Sequence, residues 1–477
     1  MDVPTRRTWL VIHLIAFIQT CTFANEHRPH FDNNAELLAI STDITFPQRI
    51  TTNAAVPKSN HFLSFTQRLH ERELRYKLTA FGKVFHFVLQ PETRFIAPSF
   101  TVEHYSGNLT KSIPSGANLS HCFHQGRIQN DSASSAVFDL CNGLRGAFKT
   151  RDGVYLIEPL VRGSPGLEDS SSRRHVIIDH IATMSQRNRI SHCGLDEDLL
   201  TNKTRKNIEV QEDTVHRRSK RETIFQGAQS YPRYVEVMVT ADKSMLDHHG
   251  SEFELKRYIQ TIMGVVHNLF LDPNLGNSIE VVLTGIKILT NDEDLTITRD
   301  ARKSLRAFCS WQHKQNVASD SEAGHYDTAI LITRKDICKD KKNCETLGLA
   351  ELGTMCDSAR SCSIVQDNGL SVSFTVAHEL GHVFNIGHDA PAKECLGERT
   401  GLHVMAPAVN LQAMPWSWSS CSRQQLTEFL DGGNDKCLMD NPQYQFKRSN
   451  KLPGEIYSPT MQCKLTYGKH STVCPFK

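Results

Sequence analysis

Three histidines and one glutamate inside His378-Glu379-Leu380-Gly381-His382-Val383-Phe384-Asn385-Ile386-Gly387-His388-Asp389 dictate a helix that must stop abruptly. The apolar stretch from Leu370 to Phe384, with Ser and Thr on one side, predicts a helix over about 371–384. On it His378 and His382, four residues apart, stand roughly 5–6 Å from each other at Cβ, which suits two ligands of one ion. His388 lies six residues beyond His382 and would face the wrong way if the helix continued. Asn385, which tolerates a left-handed backbone, can end it, and Gly387 loosens the exit. Three imidazoles around one ion leave an open fourth position, the arrangement that catalytic rather than structural zinc needs. Glu379 points away from the ligand direction and is placed to deprotonate a water at that ion.

This constellation resembles the metzincin signature HExxHxxGxxHD, with Asn385 where many members carry glycine. Val404-Met405-Ala406-Pro407 resembles the Met-turn, and Met405 would then form an apolar floor beneath the histidines. The likeness implies zinc-dependent peptide hydrolysis, with Glu379 taking a proton and returning it to the departing amine. A substrate is expected to lie extended along a strand edge near Gly348 to Thr354.

The N-terminus gives this chemistry its compartment. Arg6 and Arg7 precede the apolar run Trp9 to Ile18, and Thr22-Phe23-Ala24 supplies small residues, so residues 1–24 read as a secretory signal peptide. That run is shorter than the ~20 residues a membrane span requires, and no later stretch predicts a transmembrane anchor. A formal charge of +2 gives no reason to expect nucleic-acid binding.

The chain holds 14 cysteines, which fits an oxidising compartment. Beyond Cys21 in the signal, the segment before residue 221 has an odd set: Cys122, Cys141 and Cys193. Cys122 and Cys141 flank a short segment between strand-like stretches and can pair. Cys193, in Ser191-His192-Cys193-Gly194, is then left as a thiol able to fill the fourth zinc position of a latent form, or to bond another chain. This resembles the cysteine switch of latent metalloproteases. Activation requires the blocking segment to leave, and Arg218, Lys220 and Arg221 form an R-x-K-R site for a furin-like convertase in an accessible polar loop.

Residues 25–221 therefore read as a mainly β pro-domain, with strand character at Leu78 to Leu89, Ala136 to Leu140 and Gly153 to Leu160 and a polar loop at Arg162 to Arg174. It carries the glycosylation sequons at Asn108, Asn118, Asn130 and Asn202. Residues 222–442 read as an α/β catalytic domain with a central mixed sheet and an active-site helix. Its expected strands are Tyr234 to Ala241, Ile279 to Leu289 and Tyr326 to Thr333, with helices over Phe253 to Phe270 and, capped by Ser422, Ser422 to Leu430. Eight further cysteines lie there, and spacing alone leaves all 105 pairings open.

From His121-Cys122-Phe123-His124-Gln125-Gly126 through Gly348-Leu349-Ala350, the active helix and Phe429 to Asp440, nearly the whole chain resembles the ADAMTS family, secreted metalloproteases with a disintegrin-like domain and thrombospondin repeats. The resemblance implies a metzincin-type fold and the disulfides Cys309–Cys362, Cys338–Cys344, Cys356–Cys437 and Cys395–Cys421. It implies structural Ca²⁺ held by Glu236, Asp320, Asp327 and Asp440 with the carbonyl of Cys437, a hard-oxygen set suited to that ion. A second calcium position of relatives would use Asp336 with carbonyls near Ile337 and Cys344, but its glutamate is here the uncharged Gln366. The likeness also implies substrates in the extracellular matrix, proteoglycans first, with procollagen or other matrix glycoproteins as competitors.

Residues 443–477, with Cys463 and Cys474, resemble the start of the disintegrin-like domain, and no thrombospondin repeat or basic spacer follows in this sequence. A product of this length is expected to keep the protease centre and lose affinity for large substrates. The competing reading is a non-catalytic, matrix-associated fragment acting as a decoy; the intact Glu379 and zinc histidines favour the enzyme.

Overall fold

The computed structural model describes residues 42–50, 73–106, 109–114, 122–160, 173–180, 192–193, 231–320, 322, 324–339, 344, 346–389, 403–407, 415–442, 458–467 and 470–473. The expected signal peptide, the polar loop at 162–172, Arg218, Lys220, Arg221, Asn108, Asn118, Asn202, Cys395 and Cys474 lie outside them.

The strands are β1 (Thr42–Thr45), β2 (Gln48–Ile50), β3 (Leu74–Ala80), β4 (Lys83–Pro91), β5 (Ile96–Ser106), β6 (Leu109–Pro114), β7 (Phe123–Ile128), β8 (Ser135–Asp139), β9 (Arg145–Lys149), β10 (Val154–Pro159), β11 (His175–Asp179) and β12 (His192–Cys193). Then come β13 (Arg233–Ala241), α1 (Lys243–His249), α2 (Glu252–Phe270), β14 (Ile279–Leu289), α3 (Ala301–Gln315), β15 (Thr328–Thr333), β16 (Thr346–Ala350), β17 (Cys362–Gln366), α4 (Val372–Val383), α5 (Ser420–Asp431) and α6 (Pro459–Tyr467).

Among the described residues, β1-β11-β10-β9-β8-β7-β4-β3-β2 form one antiparallel sheet. At its central strands β8, β9 and β10 both faces are buried, and the period of two shows how. In β10, Val154 and Leu156 point toward the C-terminal region, while Tyr155 and Ile157 join Phe85, Phe87, Phe138 and Phe148 in a separate aromatic core. Rings there meet edge-on at 5.0–5.2 Å, a favoured aromatic geometry. The stretch Leu78 to Leu89, expected as one strand, is instead two. Phe81 and Gly82 adopt φ of 50° and 70°, and the Phe81 N–H donates to the Asp43 carboxylate at 2.7 Å, which makes a tight hairpin between β3 and β4.

The second sheet runs β12-β16-β17-β15-β13-β14-β5-β6. Strands β14, β13, β15 and β17 are parallel, as their near-continuous apolar sequences require. Parallel neighbours need long crossovers, which α2 and α3 supply. Helix α3, absent from the sequence-based expectation because its mean hydropathy is low, is capped by Asp300. Helix α5 begins two residues earlier than expected: Ser419 is its cap and accepts from the Ser422 N–H, so Ser422 is a donor rather than the cap.

Three strands of this sheet, β5, β6 and β12, come from the N-terminal region, with β6 antiparallel on the outer side of β5. Strand β5 lies parallel on the edge of β14, and β12 lies parallel on the edge of β16. Helix α2 is therefore buried on nearly all sides, with fourteen of nineteen residues enclosed. A Cβ at Gly264 would contact Phe95 and Val137 of the N-terminal region at 3.4 Å. Beside it Arg257 is sealed against Asp139, with Nε 2.9 Å from Oδ2 and a second guanidinium bond to Oδ1.

Removing one member of a buried pair strands the other charge in a low-dielectric site. Arg257→Met is expected to lower the stability of the full chain by about 3–5 kcal/mol, and Asp139→Leu added to it to restore most of that. Thermal denaturation of the two variants beside wild type checks this; equal melting of the single and double variants would contradict it.

Candidate metal centre

Helix α4 ends in a Schellman arrangement. The Asn385 N–H donates to the His382 carbonyl at 2.8 Å and the Ile386 N–H to the Gly381 carbonyl at 2.9 Å, with Asn385 at φ 66°. The chain turns back, and His388 comes to face the two helical histidines. Ring centroids are 4.6 Å apart for His378 and His382, 4.8 Å for His382 and His388 and 5.2 Å for His378 and His388.

Backbone carbonyls fix the rings. His378 Nδ1 donates to the Val404 carbonyl and His382 Nδ1 to the Ile386 carbonyl, both at 2.7 Å. Each bond leaves an Nε2 lone pair facing inward, the orientation that second-sphere partners commonly impose on metal-binding imidazoles. Met405 is fully buried under the helix, and Gly381 lets it approach: a Cβ there would stand 2.5 Å from its sulfur. The Asp389 N–H donates to the Met405 carbonyl at 2.9 Å, and its carboxylate accepts from the Ser419 hydroxyl at 2.6 Å. Asp389 thus ties the third histidine's loop to the α5 cap; its place beside His388 in the sequence is the only signal for that role.

Cys193 reaches the same point. Its Sγ is 3.4 Å from His382 Nε2 and 3.5 Å from Glu379 Oε1, and its N–H donates to the Pro407 carbonyl at 3.5 Å. It is not in a disulfide. Ligand atoms of Cys193, His378, His382 and His388 all lie within 4.8 Å of one another. His378 Nε2 and Glu379 Oε2 are buried without a hydrogen-bond partner. Buried polar atoms are ordinarily satisfied, so an N₃S donor set with such atoms fits a tetrahedral zinc ion.

Burial sets the electrostatics. It drives the His378 and His388 imidazoles down to about 3 and about 4, and His382 lower than its ordinary value too, so all three are held neutral as metal ligands must be. Burial also pushes the Glu379 carboxyl up to about 8, against the opposing bond from Cys193. A divalent cation opposite it would pull that value down. Gly348 on β16 makes room for this carboxylate, since a Cβ there would lie 2.4 Å from Glu379 Oε1. Strand β16 covers residues 346–350 only. Residues 351–354, expected as part of the cleft edge, form turns, and β12 already lies on the edge.

A second cluster lies across the sheet. Ligand oxygens of Glu236, Asp320 and Asp440 lie within 4.8 Å of one another, as do those of Asp320 and Asp327 with His325. The Glu236 N–H holds Asp327 Oδ2 at 2.8 Å, and the Asp327 N–H returns a bond to the Glu236 carbonyl at 2.9 Å. Glu236 Oε2, Asp320 Oδ1, Asp327 Oδ1 and Asp440 Oδ1 are buried without hydrogen-bond partners. Burial, reinforced by Asp440 and Asp320, pushes the Glu236 carboxyl up to about 8; Asp327 and Asp440 are raised as well, burial first. Four crowded carboxylates of this kind fit a hard cation. His325, 3.2 Å from Asp320 Oδ1, was not expected there.

At the other acidic position, Gln366 closes the space itself. Its Nε2 donates to Asp336 Oδ1 and its Oε1 accepts from the Ile337 N–H, both at 3.3 Å, with Arg299 3.8 Å from Asp336. The structure pairs Cys122 with Cys141, Cys309 with Cys362, Cys338 with Cys344 and Cys356 with Cys437. Cys421 is also disulfide-bonded, to a partner outside the described residues. Cys437 sits in a 3-10 turn over Lys436–Leu438, just before Asp440. Cys463, on α6, is not in a disulfide. Asn130 is exposed in the turn between β7 and β8.

Residues 233–442 match the reprolysin (M12B) family of zinc metalloproteases, and residues 43–129 match the reprolysin family propeptide. The chain is 36% identical to a disintegrin and metalloproteinase with thrombospondin motifs 20 of Mus musculus, over 97% of this chain and 26% of that protein. It is 38% identical to the corresponding protein 1 of Rattus norvegicus, over 86% of this chain and 44% of that one. Protein 15 of Homo sapiens is 36% identical over 85% of this chain and 43% of its own length. The chain thus spans between a quarter and a half of the length of the curated relatives it matches. No helix among the described residues is long and apolar enough to cross a membrane.

The donor geometry predicts about one zinc per purified chain by elemental mass spectrometry, the stoichiometry of a single tetrahedral site. His382→Ala should lose most of it, while Met405→Leu, which keeps an apolar floor, should retain it. Full zinc in folded His382→Ala protein would contradict this assignment.

Proposed function

The chain belongs to the ADAMTS family of reprolysin-type zinc metalloproteases, and from that premise we propose that it is a secreted zinc endopeptidase made as a zymogen. In this reading residues 25–221 are the pro-domain, 222–442 the catalytic domain and 443–477 the start of a disintegrin-like domain. The observation that carries it is the convergence of His378, His382, His388 and Cys193 beside Glu379. Zinc held by the three imidazoles supplies Lewis acidity toward a scissile carbonyl and lowers the pKa of water.

The chain's own residues do the rest. The Val404 and Ile386 carbonyls orient two imidazoles through their Nδ1–H groups. Glu379 is the general base: its carboxylate accepts the proton of the attacking water and returns it to the departing amine nitrogen. Gly348 keeps β16 close enough to wall that carboxylate in while leaving it room. A substrate strand takes the β16 edge that β12 occupies in the latent chain, so pro-segment and substrate compete for the same backbone groups. Cys193 blocks the centre as the fourth ligand, and a furin-like convertase relieves the block by cutting after Arg221. The substrate class we propose is extracellular-matrix proteoglycan, on the strength of the family resemblance, with procollagen as the competing class.

Full-length protein secreted, processed and incubated with purified large proteoglycan is expected to cleave it in a chelator-sensitive way. Glu379→Gln should keep its zinc and lose about 10²–10⁴-fold in turnover, the range expected for removal of a general base. Undiminished turnover by that variant would overturn the role of Glu379. If proteoglycan stays intact while short peptides are cut, the substrate class is wrong and the centre stands.

The cluster of Glu236, Asp320, Asp327 and Asp440 is proposed as a structural Ca²⁺ site, to which the Cys437 carbonyl contributes. Saturating Ca²⁺ at about 100 times its Kd should add about 2.7 kcal/mol of stability. Thermal melts of the processed enzyme with Ca²⁺ and with a calcium-selective chelator check this, and Asp327→Asn should abolish the difference.

A further inference from the structure

Cutting after Arg221 frees a second edge besides the one at the active centre. Strand β14 has β13 on one side and, among the described residues, β5 of the propeptide on the other. Regular pairing runs from Gly285 with Thr101 to Leu289 with Tyr105, beyond an irregularity around Pro98, which cannot donate to a ladder. The Thr290 N–H and hydroxyl extend the grip by donating to the Tyr105 carbonyl at 3.0 and 2.7 Å.

Two side chains of β5 on one face fill a shaped socket. Tyr105 is buried, its ring meets Trp311 edge-on at 5.5 Å and its hydroxyl donates to Gln315 at 2.8 Å. Two residues earlier, Glu103 lies 3.4 Å from the Lys287 ammonium, which also stands 5.4 Å over the Tyr105 ring. With β5 in place Lys287 is only 4% exposed, covered by the strand that carries Glu103 and Tyr105. All three socket residues, Lys287, Trp311 and Gln315, belong to the part that remains after processing.

We propose that in the processed enzyme this vacated edge is a second strand-docking site, separate from the β16 edge, for an extended segment of a protein partner with an acidic residue two positions before an aromatic one. The proposal rests on the zymogen reading above. Backbone pairing with β14 supplies the affinity that any strand can use, and Lys287 with the Trp311 and Gln315 socket supplies the selection. Lys287 matches the acidic position by charge and the aromatic one by its place over the ring. A bare apolar edge would invite indiscriminate pairing, and the buried cation makes an uncharged strand a poor occupant.

The probe is a labelled peptide of the sequence Thr-Val-Glu-His-Tyr-Ser, that of residues 101–106, set in an unrelated flanking frame and titrated by fluorescence anisotropy. The protein is the full chain processed after Arg221 and separated from its propeptide. Saturable binding is expected, about tenfold or more weaker when the peptide carries Tyr→Ala and measurably weaker with Glu→Gln. In Lys287→Met enzyme the Glu→Gln penalty should vanish, and the unprocessed chain, whose edge is covered, should not bind. Amide hydrogen exchange at 285–290 should slow when the peptide is present.

Absence of saturable binding, binding indifferent to the acidic and aromatic positions, or equal binding to the unprocessed chain would each overturn the proposal. Self-association of the processed enzyme through 285–290 that the peptide cannot disperse would overturn it too, by giving the edge to a second copy. Turnover of a short peptide substrate, read on the same preparations, reports folding of Lys287→Met. It also separates the outcomes, because failure of docking with turnover intact leaves the zinc centre's assignment untouched.

Discussion

Two N–H groups at the end of α4 decide where the third imidazole goes. If Asn385 and Ile386 continued the helix, their amides would bond carbonyls four residues back and His388 would leave the site. They bond instead to His382 and Gly381, in the pattern that a left-handed residue permits. The same turn presents the Ile386 carbonyl to His382 Nδ1. One backbone conformation therefore positions the third ligand and fixes the tautomer of the second. The helix's last carbonyls are not left to water: the N–H groups of Gly353 and Met355 bond to those of His382 and Val383 at 3.0 and 3.1 Å. The loop after β16 is anchored to the metal helix by this means, which couples the cleft wall to the centre it serves.

The N-terminal region grips both margins of one sheet. At the β16 margin, among the described residues, the two residues of β12 pair and bring Cys193 to the histidines. At the β14 margin the contact is long, apolar and charged, with Asp139 and Arg257 sealed behind it. In the uncut chain the contact at Cys193 is short, and the N-terminal sheet is held to α2 through Phe95, Val137 and the paired charges. Arg145 adds to this anchor by bonding Glu254 at 3.0 Å, with both side chains largely buried.

Much of the centre was legible because its chemistry repeats at fixed chain spacing. His378, Glu379 and His382 can be placed from helical geometry, and the six-residue gap to His388 requires the helix to stop between them. The strands of the C-terminal sheet were legible too, since buried parallel strands are continuous apolar runs, as in Ile279–Leu289. What escaped was decided elsewhere. Helix α3 is mostly polar and owes its place to a stripe of Leu305, Phe308 and Cys309 that only the assembled sheet buries. Phe81 gave no sign of a turn, because its positive φ is sustained by Asp43, thirty-eight residues away. Nothing local in the sequence says that β5 leaves its own sheet for the neighbouring one, or that His325 joins the carboxylate cluster. The family resemblance brought those carboxylates together on paper; by composition they read as surface charge.

The two acidic clusters of the catalytic region differ in how far their neighbours balance the charge. At Glu236 the carboxylates are buried beside Asp327 and face Asp320 and Asp440, and like charges about 4 Å apart repel by roughly 4 kcal/mol per pair at an effective dielectric of 20. Protein donors meet only part of this demand, as the orphaned oxygens testify, so the cluster is stable when a cation is bound or protons are taken up. At Asp336 the neighbour is the uncharged Gln366, whose amide both donates to Asp336 and accepts from Ile337. The same loop is closed there by neutral hydrogen bonds and the nearby Arg299, with no excess charge left to balance. Unbalanced carboxylate charge is consequently concentrated at the Glu236 cluster. That cluster abuts the segment joined by Cys437 to Cys356, beside the loop that carries Met355 to the end of the metal helix. The cluster is thus joined by covalent and hydrogen bonds to the helix that carries two of the histidines.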